Sequence, residues 1–138
     1  MSEENVEFLR NFLAGPQSLE KEALLAALPQ LIPEICDPEI EWVEDPTRAD
    51  SRTYRGHQGV HDSWTLWLEN FEQYHADVES ITDHGDRAYV VAVEHGRGSI
   101  SSADVSARIY MVVTFRAGKI LRYQEFYDEQ AALAVLEG

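Results

Sequence analysis

The sequence predicts an α+β fold, with helices laid against a curved, mostly antiparallel sheet. Three observations carry that prediction. Apolar residues recur at helical spacing up to Phe71 and at every second residue beyond it. Turn-forming groups, His84-Gly85-Asp86 and Ala117-Gly118, separate the later segments at hairpin spacing. The chain has 138 residues, 44% of them hydrophobic, which suits one domain spanning 1–138 with a sizeable core.

Taken in order, Ser2-Glu3-Glu4 supplies a side-chain cap and acids for the positive end of a helix dipole. Val6, Leu9 and Leu13 follow at helical spacing, and Gly15-Pro16 stops the helix. Ser18 caps a second helix running through Leu28, and Pro29 and Pro33 are expected to break it into a short extension ending near Cys36. Asp37-Pro38 turns the chain into a first strand, Ile40 to Asp45, which Pro46 ends. A third helix is predicted from about His57 to Phe71, with Val60, Trp64, Trp67, Leu68 and Phe71 on one face. Four strands follow, Tyr74 to Thr82, Arg87 to Arg97, Val105 to Phe115 and Lys119 to Tyr127. A short helix from Asp128 to Leu136 closes the chain. Helices grouped on one face of such a meander make a cone with a mouth.

Eleven Lys and Arg against 25 Asp and Glu leave a formal charge of −14, and the basic residues form no stripe. Counterion release therefore has nothing to drive it, which argues against nucleic acid and anionic membrane as partners. The apolar runs are too short for a membrane span and the N-terminus lacks a basic signal region, so a cytoplasmic location is expected. The one cysteine, Cys36, can form no internal disulfide; flanked by Glu34, Asp37 and Glu39, it should stay a thiol and serve as a small buried hydrophobe. No cofactor motif is present. His57 and His61 have the i, i+4 spacing of metal ligands, but no third ligand lies near them in sequence and no metal is predicted. His75 and His84 read as solvated side chains at a strand start and a hairpin tip.

The stretches "EWVEDP", "TYRGHQGV", "GDRAYVVAVEHGRG", "VVTFRAGKI" and "ALAVLEG" resemble, in order and spacing, the SnoaL-like branch of the NTF2-like superfamily. The resemblance implies a cystatin-like cone of three N-terminal helices on a curved sheet, with a short C-terminal helix and a homodimer. It does not imply one reaction, because the superfamily includes ketosteroid isomerase, scytalone dehydratase, limonene epoxide hydrolase, polyketide cyclases and non-catalytic binders. A similar Val-Glu-Asp-Pro stretch ends the first strand of ketosteroid isomerase, and its Asp is the proton-shuttling base; this would place Asp45 at the cavity. Steroid isomerase chemistry is disfavoured, because no tyrosine precedes Tyr54 and Met111 stands where a protonated acid is needed for an oxyanion hole.

Alternation places Val105, Ala107, Ile109, Met111, Val113 and Phe115 on one apolar face, which must meet the helices, and turns Arg108 outward. The resemblance puts Leu121, Tyr123, Glu125 and Tyr127 inside, making Glu125 either a hydrogen-bonded structural acid or a proton-transfer group of raised pKa. In Arg87 to Arg97 both alternating sets are apolar enough to face inward, so either Glu94 or His95 lines the cavity. Trp64 faces inward from its helix stripe and Tyr54 walls the same space. The expectation is a pocket for an apolar or aromatic small molecule, lined by Tyr54, Trp64, Met111, Tyr123 and Tyr127, with Asp45 and Glu125 as acid and base. The alternatives are a non-catalytic binding or scaffold dimer, and an epoxide hydrolase, which needs two acids and an arginine converging on one water. The outward parity of Arg108 argues against the last.

Overall fold

A computed structural model of the chain describes Glu7, Leu9 and residues 21–49, 51–98 and 104–138, with the main chain only at 72–74 and 105. The expected first helix and the loop before Asp104 therefore lie outside the described residues, except that Glu7 and Leu9 are helical and Leu9 is buried. Helix α1 spans Lys21–Ile35 and contains both Pro29 and Pro33. The expected break does not occur. Leu24, Leu28, Ile32 and Ile35 form one buried stripe while both prolines lie on the exposed side. Burying each of those side chains is worth about 1.5–3 kcal/mol, so the stripe outweighs the roughly 3 kcal/mol that an interior proline costs a helix. The Pro33 carbonyl, near the helix end, accepts from Lys119 Nζ at 2.9 Å.

Strand β1 covers Cys36–Val43, and a short β2, Thr53–Arg55, pairs with it antiparallel before helix α2, Gly56–Glu69. Gly56 adopts φ 74°, the left-handed turn that lets the chain pass from β2 directly into α2. Strands β3 (Phe71–His84), β4 (Arg87–Gly98), β5 (Asp104–Arg116) and β6 (Lys119–Phe126) form the expected antiparallel meander. Because β1 runs parallel to β6, the mixed sheet has the order β2-β1-β6-β5-β4-β3. Asp37 takes two bonds from Arg116, at 2.8 and 3.0 Å, tying the start of β1 to the end of β5 beside an irregular stretch of the β1–β6 pairing.

The main core lies between α1, α2 and one sheet face, where Ile40, Trp42, Val90, Ala92, Ile109, Met111, Val113 and Tyr123 are buried. Helix α3, Glu129–Glu137, is capped by Asp128, whose Oδ2 accepts from the Ala131 amide at 3.2 Å. It packs on the opposite sheet face, with Ala132 and Leu136 over Tyr89, Val112 and Phe126. The helices are therefore not confined to one side, because the C-terminal segment covers an apolar outer patch. Arg108 is on that outer face, as alternation expects, in a bidentate pair with Glu79 at 2.8 and 3.0 Å. No helix among the described residues is long and apolar enough to cross a membrane.

Candidate active site

Strand β1 delivers two side chains to one space through simple alternation. Trp42 and then Glu44, just past the strand end, point the same way, and Val43 and Asp45 point elsewhere. The space is an inner chamber of about 40 Å³. Ser63, Trp64 and Trp67 enter it from α2, Glu94 from β4, and Tyr123 and Glu125 from β6. Trp42 stacks on Tyr123 with ring centroids 3.9 Å apart, and Trp64 leans on Trp42 at 6.2 Å. An outer cleft of about 370 Å³ adjoins the chamber, lined by Arg52, Tyr54, Leu66, Glu69 and Asn70. Glu44, Arg48 and Trp67 border both spaces. The Arg48 guanidinium lies 5.1 Å from the Trp67 ring centre, a cation–π stack that forms the partition.

Arg48 is the positive charge of the chamber. It pairs with Glu44 at 2.9 Å and reaches toward Glu125 at 3.7 Å, and it hydrogen-bonds the Tyr127 side chain. Burial pushes the Glu125 carboxyl up to about 7, and the nearby Glu94 and Glu44 push the same way. Arg48 and a 3.4 Å bond from the Tyr123 hydroxyl oppose that rise without cancelling it. Burial raises Tyr127 as well, against the bond from Arg48. A carboxyl that titrates near neutrality, facing a fixed guanidinium and walled by indoles, can give or take a proton under ordinary conditions.

The structure brings Trp64, Tyr123 and Glu125 into the chamber and puts Tyr54 on the outer cleft. Met111 is buried in the adjoining core, directly across the sheet from Glu125. Tyr127 packs against that core and meets Arg48. Met111 and Tyr127 therefore line neither space, and Asp45, expected as the base, departs furthest from the expectation. Its side chain is 2% exposed and lines neither space. One oxygen accepts from the Thr47 amide at 2.7 Å and from the Thr47 hydroxyl, while the other accepts from the Tyr127 amide at 2.6 Å. Burial works to raise the Asp45 carboxyl, but these bonds and the nearby Arg48 outweigh it and hold the group below the ordinary range. Asp45 shapes the turn that carries Arg48, whose amide donates to the Asp45 carbonyl at 3.2 Å.

Glu44 and Arg48 were not among the expected site residues, and of the two open choices on β4 it is Glu94, not His95, that lines the chamber. Glu44 was detectable as the alternation partner of Trp42. Arg48, in a turn, follows no periodicity. His57 donates from Nε2 to the Cys36 carbonyl at 2.9 Å and serves the helix entry. Cys36 is fully buried, and that burial, rather than its acidic neighbours, pushes its thiol up to about 12.

The fold and this site define a cone protein with an acid-lined pocket, and the comparisons agree on the class. The profile of the SnoaL-like domain matches residues 21–123, so the chain belongs to the SnoaL-like family. Comparison with curated protein sequences returns no match. Among solved structures, a SnoaL-like polyketide cyclase candidate from Jannaschia sp. CCS1 is 17% identical, with TM-score 0.73 over 99% of this chain and 94% of its own. A protein with a ketosteroid isomerase-like fold from Catenulispora acidiphila DSM 44928, in complex with trimethylamine, is 16% identical, with TM-score 0.70 over 93% and 90%. TerC, co-crystallised with polyporic acid, is 20% identical, with TM-score 0.70 over 98% and 99%. At such identities the likeness establishes the fold alone.

Proposed function

We propose that this chain is a small-molecule enzyme of the isomerase, cyclase or dehydratase type that moves protons with its own side chains. The observation that carries the reading is Glu125, buried on the chamber wall with a pKa of about 7. A flat, mostly apolar ligand enters through the outer cleft, displaces or slides past the Arg48–Trp67 stack, and lays its ring along Trp64 and Trp42. Glu125 then takes a proton from the ligand or gives one to it, and Arg48 stabilises the negative charge that develops. Solved relatives with trimethylamine and polyporic acid support small-molecule binding in folds of this shape.

A second reading has its own observation. A chamber of about 40 Å³ is large enough for a water, which needs roughly 10–15 Å³ of such space. Arg48 and the acids provide the convergence that a hydratase or epoxide hydrolase needs, a role that Arg108 on the outer face does not fill. The water would lose a proton to a carboxylate as its oxygen attacks carbon; in an epoxide the carbon–oxygen bond breaks and the departing oxygen is protonated, and in a hydration the neighbouring carbon takes up the proton.

One experiment separates these readings from a purely binding role. Flat ketones, phenols and epoxides are screened by quenching of tryptophan fluorescence, and the binders are incubated in heavy water and in heavy-oxygen water. Exchange of carbon-bound hydrogen marks the isomerase or cyclase reading, and heavy oxygen in the product marks hydration. Glu125→Gln should keep binding and lose about 100-fold or more in turnover. Binding without isotope incorporation would make the protein a binding module. The homodimer belongs to this reading too. Phe126 is covered by α3, so the outer face offers Tyr110, Arg122 and Gln124 for a largely polar association, which light scattering at micromolar concentration checks.

A further inference from the structure

On the face of β4 opposite Glu94, the sheet register brings three metal-ligating side chains together. His75 on β3 lies directly across from His95 on β4, and Asp77, two residues along β3, shares their face. The two imidazoles stack with ring centroids 4.7 Å apart and planes 20° from parallel. Asp77 Oδ2 lies 3.1 Å from His95 Nε2 and 3.9 Å from His75 Nε2, and one ligand atom from each residue falls within 4.8 Å of the others.

We propose that His75, Asp77 and His95 form a surface site for a divalent transition ion of the zinc class. Nitrogen or oxygen donors held about 2.0–2.2 Å from a tetrahedral zinc stand about 3.4 Å from one another, so small side-chain rotations convert the observed spacings into a three-point cradle. Two imidazoles with one carboxylate select zinc, copper or nickel over magnesium or calcium, which prefer oxygen donors. The orientation of His95 is already fixed from behind. Its Nδ1 is 2.9 Å from Ser106 Oγ on β5, so an Nδ1–H donated to that hydroxyl leaves Nε2 as the ligand. All three ligands reach solvent, with side-chain exposures of 50% for His75, 64% for Asp77 and 35% for His95, so water completes the coordination. A simple His–Asp ion pair would account for one imidazole; it does not account for a second imidazole stacked on the first and turned toward the same carboxylate.

Because β3 is the edge of the sheet, a bound ion staples that edge to β4. Isothermal titration of the purified chain with zinc, in excess magnesium, should give one ion per chain, and thermal unfolding should shift to higher temperature in parallel. Cobalt in place of zinc should develop visible absorption of a low-coordinate site. His75→Ala and His95→Ala should each weaken binding by more than about tenfold, and Ser106→Ala, which frees the His95 ring, by about tenfold. His84→Ala, at the exposed hairpin tip, should change nothing. The proposal fails if zinc does not bind in excess magnesium, or if a His75→Ala/His95→Ala double variant binds it as well as the parent does.

Discussion

At Asp45, two carboxylate oxygens meet three donors, the Thr47 amide, the Thr47 hydroxyl and the Tyr127 amide. Asp45→Ala would leave the part-buried Tyr127 amide and the more exposed Thr47 amide without their acceptor and should cost about 2 kcal/mol in urea denaturation. Ligand affinity in the surviving folded protein should change far less than it does in Arg48→Ala. Because the carboxyl is held below its usual 3.8, its contribution is present above that value and is lost as pH falls through the folded-state pKa. Glu125 works in the other direction. Its folded value of about 7 lies above the ordinary 4.5, so between them the unfolded chain has released a proton that the folded chain keeps. Stability therefore falls as pH rises through that window, by roughly 3 kcal/mol in all. The unfolding free energy of the parent minus that of Glu125→Gln should fall by that amount from about pH 4 to pH 8; a flat difference would mean that Glu125 titrates normally. The family resemblance, carried along β6 by alternation, made Tyr123 and Glu125 readable, whereas a register shift against β5 puts Ile120, of the other alternating set, into the main core as well. Glu94 and His95 were not assignable, because both faces of β4 are covered or half-covered, and parity carries information only where one face is wet.

At the scale of elements, α1 holds two prolines that local rules read as breaks. The deciding information is the stripe Leu24, Leu28, Ile32, Ile35, whose value depends on a core that the local sequence does not display. Pro29 is exposed, so Pro29→Ala removes no core packing and restores a backbone donor to the preceding turn. Against the helix gain of up to about 3 kcal/mol stands the loss of about 0.4–1 kcal/mol through a freer unfolded chain. The variant should be more stable by about 1–2 kcal/mol, seen as a higher calorimetric midpoint. A lower midpoint would show that the proline ring packs against something the exposed surface hides. The meander was legible because its hairpins carry Gly85 and Gly118, at φ 81° and 80°, where turn chemistry demands them. Strand β2 was too short to show a period, and the side chosen by α3 depended on Tyr89, Val112 and Phe126 uniting across three strands.

For the whole molecule, the order of helices and strands, β2 apart, was readable because changes of period mark changes of layer, and the match to the SnoaL-like family covers residues 21–123. The charge of −14 has a consequence at the same scale. The chamber repeats the global sign, with Glu44, Glu94 and Glu125 set against Arg48, and the outer cleft adds Arg52 and Glu69 to Glu44 and Arg48. The cleft itself balances Arg48 and Arg52 against Glu44 and Glu69, so it is the net charge of −14 that repels an approaching anion before it reaches the Arg48–Trp67 stack and attracts a cation. Screening acts over about 8 Å at physiological ionic strength, so this sorting belongs mainly to the approach rather than to the bound state. For two flat ligands that differ only in carrying an ammonium or a carboxylate, stopped-flow tryptophan quenching at low salt should give the ammonium the faster association, by about tenfold or more. Added salt should slow the cation and speed the anion until the two rates converge, with dissociation rates little changed. Equal association rates at low salt would mean that ligands enter by a path the acidic surface does not control.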